Sequence, residues 1–187
     1  MTSMDYLNGL EHKFCRLNED VTVTDGTVIE GYASIFGKCD QGNDVVEAGA
    51  YGASLAALEK QGRSVKMLWQ HDATQPIGIW DEVREDGRGL YVKGRLLTDV
   101  ERGREAAALI EAGAIDGLSI GYRTKRAHKN DKGQRLLAEL ELWEVSLVTF
   151  PMLPEARVGA KGESLEAETL RELAEVFETG RHMLARN

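Results

Sequence analysis

A nucleophilic hydroxyl can be built from a serine, a histidine and a carboxylate, and three positions offer those side chains in suggestive settings. Ser119 lies in GLSIG, where strand alternation puts Leu118, Ile120 and Tyr122 on one face and Gly117, Ser119 and Gly121 on the other. A hydroxyl flanked by two glycines on its own face is expected to be approachable; equally, a strand serine of this kind can simply admit a neighbouring backbone. His71 ends the apolar run VKMLWQ, where alternation gives it the face of Val65, Met67 and Trp69 before Asp72 and Gln75-Pro76 turn the chain. There it is either a base that takes a hydroxyl proton and returns it to a leaving amine, or a half-buried histidine bonded to a carbonyl.

The acid is marked by a broken pattern. In ELELWEVSLVT, Glu139 and Glu141 alternate with Leu140 and Leu142 as a solvated face opposite a core face, but Glu144 has the parity of the leucines while Trp143, Val145 and Leu147 move the apolar side across. Either a bulge lies here and leaves Glu144 wet, or a carboxylate points inward, where it needs a partner such as an imidazolium. GLSIG also fits the G-x-S-x-G elbow of esterases, which requires a strand before the serine and a helix after it. The order here is reversed, and the elbow's chain order leaves only His128, in a lysine-rich turn, and His182, near the terminus, as bases.

The elements that must hold these groups follow from periodicity and turn chemistry. Residues 14–36 are β-like around the turn dipeptide Asp25-Gly26, which predicts a hairpin. A short helix is expected over residues 51–60, with Tyr51, Leu55 and Leu58 on one face and Gly62 as its stop. Strands are expected over residues 64–70, 76–83 and 89–97, the last two separated by Asp86-Gly87. A capping box of Thr98 and Glu101 opens a helix over residues 99–112 that presents Ala106, Ala107 and Ile110 and ends at Gly113. Strands over residues 115–123 and 136–149 flank the polar turn RAHKNDKGQ, and Pro151 and Pro154 close the second. Residues 159–162 look like a linker to an acidic amphipathic helix carrying Leu170, Leu173, Ala174 and Phe177. This predicts an α+β, mainly β fold: a closed or nearly closed antiparallel barrel of about seven strands with peripheral helices, spanning residues 1–158, then a tail over residues 159–187.

Composition bounds the partners. A chain of 187 residues with 42% hydrophobic content suits one domain with a sizeable core, and its net charge of −8 repels a phosphate backbone, so a protein substrate is expected rather than nucleic acid. No apolar run approaches the roughly 20 residues of a membrane span, and the mean hydropathy is −0.34. Cys15 and Cys39 show no metal-ligand or redox spacing, which predicts free thiols in a reducing cytoplasm. The start MTSMDYLNGLEHK lacks a secretory core. No cofactor and no metal is expected.

Three strings together resemble a family: VKMLWQHDATQPIGIWDEVREDGRGLYVKGRLL, GAIDGLSIGYR and LELWEVSLVTFPMLPEARV, with GYASIFGKCDQGNDVVEAGAYGASL upstream. From Gly31 to Val158 the chain resembles the tailed-phage prohead proteases, which share the herpesvirus assemblin-like fold. The resemblance implies that His71 and Ser119 are the catalytic pair and that Glu144, rather than His128, is the third member. It further implies a serine endopeptidase packaged in the immature capsid in the host cytoplasm, cutting scaffold or the scaffolding segment of the major capsid protein, and itself. A homodimer is a further expectation, with Trp80 or the last helix as candidate contacts, and the tail is a candidate for packaging. The competing reading is an inactive scaffolding module of the same fold, for which an intact His71 and Ser119 would have no chemical use.

Overall fold

The computed structural model describes residues 10–15, 22–40, 42–115, 117–149 and 159–160. Ten strands and two helices occur among them: β1 (Glu11–Cys15), β2 (Thr22–Thr24), β3 (Val28–Ile35), β4 (Asp44–Val46), α1 (Gly52–Lys60), β5 (Lys66–Trp69), β6 (Asp72–Glu85), β7 (Gly89–Leu96), α2 (Glu101–Glu111), β8 (Gly117–Lys129), β9 (Arg135–Val148) and β10 (Gly159–Ala160). All ten strands join one sheet in the order β1-β8-β9-β5-β6-β7-β3-β2-β10, with β4 added on β9. The fold is thus mainly β, as expected, but the sheet is an open half-barrel whose hydrogen-bonded path does not return on itself among the described residues. Nor is it wholly antiparallel, since β5 and β4 run parallel to β9 and β10 runs parallel to β2. The expected C-terminal helix lies outside the described residues.

Local chemistry explains most elements. Asp25 and Gly26 both take positive φ, 53° and 68°, which is the twist that closes the tight β2–β3 hairpin. Helix α1 ends at Gln61, followed by Gly62 at φ 62°. The capping box does not form: α2 begins at Glu101 with Val100 at the N-cap position and no side-chain cap. Thr98 instead offers its carbonyl to the Arg104 side chain at 3.1 Å. The turn RAHKNDKGQ is shorter than expected, because β8 continues to Lys129 and the reversal is confined to residues 130–134, with Gly133 at φ 75°.

One apolar layer holds the sheet. Met67, Ile77, Leu90, Val92, Leu118, Ile120, Val145 and Leu147 are buried together, and Trp80 joins them, donating its indole N–H to the Val145 carbonyl at 3.2 Å. Trp80 is therefore core, not an interface residue. Helix α2 lies on β6 and β7, where Gly103 leaves no room for a Cβ against the carbonyls of Leu97 and Ile77. Helix α1 is tied to β9 by the Ser54 hydroxyl, which accepts the Leu142 N–H at 2.9 Å. No helix among the described residues is long and apolar enough to cross a membrane.

Candidate active site

The site is built on the face of the sheet opposite the apolar layer of Leu118, Ile120, Val145 and Met67, where β1, β8, β9 and β5 lie side by side. Cross-strand register sets two rows: His12, Gly121, Glu144 and Lys66 form one, and Phe14, Ser119, Ser146 and Leu68 the next. Directly opposed residues share a face, with Cβ atoms about 4.5–5.5 Å apart in an antiparallel pair, so Ser119 and Ser146 are neighbours and Glu144 lies one row away. The opposite face carries Leu118, Ile120, Val145 and Met67, all buried in the core.

Glu144 reaches this face through a bulge. Gly121 pairs with Glu144 while Tyr122 pairs with Leu142, so Trp143 is the extra residue of β9. Before the bulge, Leu140 and Leu142 point to the core; after it, Val145 and Leu147 do, and Glu144 and Ser146 are turned outward. The two readings of the broken pattern are one event: there is a bulge, and the carboxylate it re-aims is buried, at 4% exposure. Glu139 and Glu141 stay on the solvated side, paired with Arg126 at 3.8 Å and Lys125 at 2.6 Å.

His71 reaches the same face by a strained turn. Gln70 and His71 occupy the two-residue connection between β5 and β6 with φ 51° and 64°. Neither residue is the Asn or Gly such a turn favours, and left-handed non-glycine residues cost on the order of 1–3 kcal/mol each. The turn lies at residues 70–71 themselves, and Pro76 is inside β6. Positive φ breaks the alternation, so the imidazole leaves the face of Met67 and Trp69 and meets Glu144, Nδ1 lying 2.6 Å from Oε1. Compensating bonds hold the turn. The His71 N–H donates to Ser146 Oγ at 3.2 Å, the Gln70 N–H to the Leu147 carbonyl at 2.9 Å, and Gln70 Nε2 to Thr149 Oγ1 at 2.6 Å.

Ser146 thus serves two masters, because its hydroxyl also donates to Glu144 Oε2 at 2.5 Å. One buried serine fixes both the carboxylate and the backbone of the histidine. Gly121 supplies the space, since a Cβ there would run into the Glu144 carboxylate, 2.8 Å from its Cδ. The glycine makes room for the acid rather than for approach to Ser119, which is fully buried.

Two residues of this cluster were not visible in the sequence. Ser146 reads as an ordinary strand serine, and His12 lies on a five-residue strand that no alternation marks. The His12 ring lies against that of His71, with centroids 4.0 Å apart and planes tilted by 47°. Partial burial, and then repulsion from His71, hold the His12 pKa below the usual histidine range, while Glu144 acts in the opposite sense. His128 is remote and exposed, 3.6 Å from Glu47, and His182 lies outside the described residues. Cys39 is an exposed free thiol, as expected.

A buried carboxylate bonded to the inner nitrogen of an imidazole, beside a strand serine, is the arrangement by which an acid orients a general base. Comparison with known proteins gives the family to which the chain belongs. The prohead protease of Enterobacteria phage HK97 is 31% identical over 157 residues, covering 78% of this chain but 65% of the HK97 protein. A capsid polyprotein of Pseudomonas phage PAJU2 is 33% identical over 113 residues, 54% of this chain and 17% of that protein. The fold is similar to that of the capsid assembly protease of bacteriophage T4, with a TM-score of 0.63 at 16% identity over 76% of this chain and 98% of the T4 chain. Residues 15–171 match the family described as caudovirus prohead serine protease, and the chain belongs to that family.

Proposed function

We propose that this protein is a serine endopeptidase of phage prohead maturation, with Ser119 as nucleophile, His71 as general base and Glu144 as the acid that orients it. The observation that carries the reading is the 2.6 Å contact between His71 Nδ1 and Glu144 Oε1. With Nδ1–H donated to the carboxylate, Nε2 is the nitrogen that takes the Ser119 proton as Oγ attacks the scissile carbonyl and returns it to the leaving amine. Glu144 keeps its charge throughout and balances the imidazolium, and the Ser146 hydroxyl holds its second oxygen.

A capsid protein or its scaffolding segment is the proposed substrate. It is supported by the similarity to a segment of a protein named capsid polyprotein and by the net charge of −8, which disfavours nucleic acid. Self-cleavage and homodimer formation belong to the same proposal. The test is a fluorophosphonate, which labels only an activated serine, together with purified capsid or scaffold protein. Wild type is expected to label at Ser119 and to cut; Ser119→Ala is expected to do neither while melting as wild type does. Labelling of the Ser119→Ala protein at another serine, or equal cleavage by both proteins, overturns the assignment, and an unreactive wild type favours an inactive assembly module.

A further inference from the structure

We propose that His12, His71 and Glu144 form a binding site for a divalent transition-metal ion, zinc being the ion the donor set fits best, and that occupancy of this site switches the peptidase off. One ring nitrogen of each histidine and one carboxylate oxygen of Glu144 lie within 4.8 Å of one another. Zinc bonds of about 2.0–2.1 Å in tetrahedral array place ligand atoms roughly 3.4 Å apart, so modest side-chain adjustment closes the cluster around an ion. The required freedom is there. The His12 side chain is exposed and its ring lies against that of His71, so a small rotation of the His12 side chain brings its nitrogen toward the other two ligand atoms.

Chemistry selects the metal. Two imidazoles and one carboxylate favour zinc and its neighbours over calcium or magnesium, which prefer oxygen. Three protein ligands leave a fourth position for water. Glu144 is already oriented from behind by the Ser146 hydroxyl at 2.5 Å, the kind of outer-shell bond that fixes a metal-binding carboxylate. The acidic chain, at net charge −8, adds a general attraction for cations. The strands supply the ligands from three places, β1, the β5–β6 turn and β9, so no local spacing in the sequence announces the site.

Inhibition follows from competition for the same atoms. A metal that draws on His71 and Glu144 replaces the contact by which the acid orients the base, and the imidazole it holds can no longer accept the Ser119 proton. This consequence rests on the catalytic reading of His71 and Glu144; the binding itself does not. His12 is the residue that separates the two, since it completes the metal set from β1 and takes no part in the proposed proton transfer.

The experiment uses the full chain, stripped with a chelator. Zinc chloride titrated by calorimetry is expected to fill one saturable site, at least tenfold weaker in His12→Ala and unchanged in His128→Ala. Cobalt(II) added to wild type is expected to give the visible absorption of a four- or five-coordinate site, bleached by zinc, a readout that needs no variant to fold. Saturating zinc is expected to slow fluorophosphonate labelling of Ser119 by at least tenfold, with recovery on adding chelator. Absence of saturable zinc binding, absence of the cobalt bands, or equal affinity in folded His12→Ala overturns the site. Binding that needs His12 but leaves labelling unchanged overturns the switch. If the metal-free protein does not label at all, the catalytic reading fails, while calorimetry and the cobalt spectrum still decide whether the metal site exists.

Discussion

Gly121→Ala tests the architecture of the dyad without touching any group that does chemistry. A Cβ at this position would sit 2.8 Å from Cδ of Glu144 and closer still to Oε1. Carbon atoms in contact stand about 3.5–4.0 Å apart, so the carboxylate must retreat by on the order of 1 Å. It has little room to do so gently, being buried, held by Ser146 at 2.5 Å and flanked by the β8 backbone. A retreat of that size stretches the 2.6 Å contact with His71 Nδ1 past the roughly 3.2 Å at which such bonds end. Misplacement of a catalytic group by about 1 Å costs about 100-fold in rate, and complete loss of the orienting acid costs up to about 10,000-fold. The expected result is a fall of about 100-fold or more in the fluorophosphonate labelling rate, with the thermal melt still cooperative. Gly87→Ala is the control, because a Cβ there meets nothing within 4 Å, and it is expected to label as wild type does. A folded Gly121→Ala protein that labels within about threefold of wild type would show that the carboxylate's position does not matter, and the assignment of Glu144 would fail with it.

Three further outcomes are expected. Ser146→Ala leaves Glu144 Oε2 and the His71 N–H without their shared partner; it should cost about 1–3 kcal/mol in denaturant unfolding and slow labelling, whereas an unaltered protein on both counts would remove Ser146 from the site. Asp86 is pulled down to about 2 from 3.8, first by the Arg88 N–H and then by Tyr32, Arg84 and the Gly89 N–H. Its folded pKa lies below the unfolded one, so its stabilisation is full above about pH 4 and fades as pH falls toward 2; the difference in unfolding midpoint between wild type and Asp86→Asn should shrink across that window, and a constant difference would contradict the linkage. Truncation after Lys161 keeps β10 and should retain labelling at Ser119 while abolishing incorporation into proheads. An insoluble or unreactive truncation would show instead that the last segment belongs to the core.

The fold was legible wherever a local pattern decides it. Alternation along Leu90, Val92, Gly94 and Leu96 found β7 within a residue, Asp25-Gly26 found the β2–β3 turn, and Gly113 at φ 71° ended the second helix where it was expected to. What failed was whatever depends on a distant partner. Strand β4 is three residues with an aspartate at its head, extended because β9 lies beside it; β1, of five residues, and β10, of two, owe their form to β8 and β2. Parallel pairing of β5 with β9 leaves no mark on either strand, so an all-antiparallel sheet was the natural but mistaken expectation.

The site divides along the same line, and the division explains why the acid was easier to find than its support. Glu144 breaks a pattern that its own neighbours establish, so one strand is enough to expose it. Alternation assigns His71 to the wrong face, because it carries no information through a turn in which two consecutive non-glycine residues take positive φ. Ser146 breaks nothing: after the bulge at Trp143 it has the parity of Glu144, and a serine on an outer face draws no notice. Its importance arises from two bonds that no pattern announces, its donation to Glu144 Oε2 at 2.5 Å and the His71 N–H that the strained turn brings within 3.2 Å of it. Strain at residues 70–71 therefore needs a reason, and the reason available is positional: an unstrained turn would leave the imidazole on the core side of β5, away from Glu144. The cost of the turn and the two bonds of Ser146 are opposite sides of one arrangement, and any change that relaxes the turn without moving Ser146 should separate the histidine from its acid.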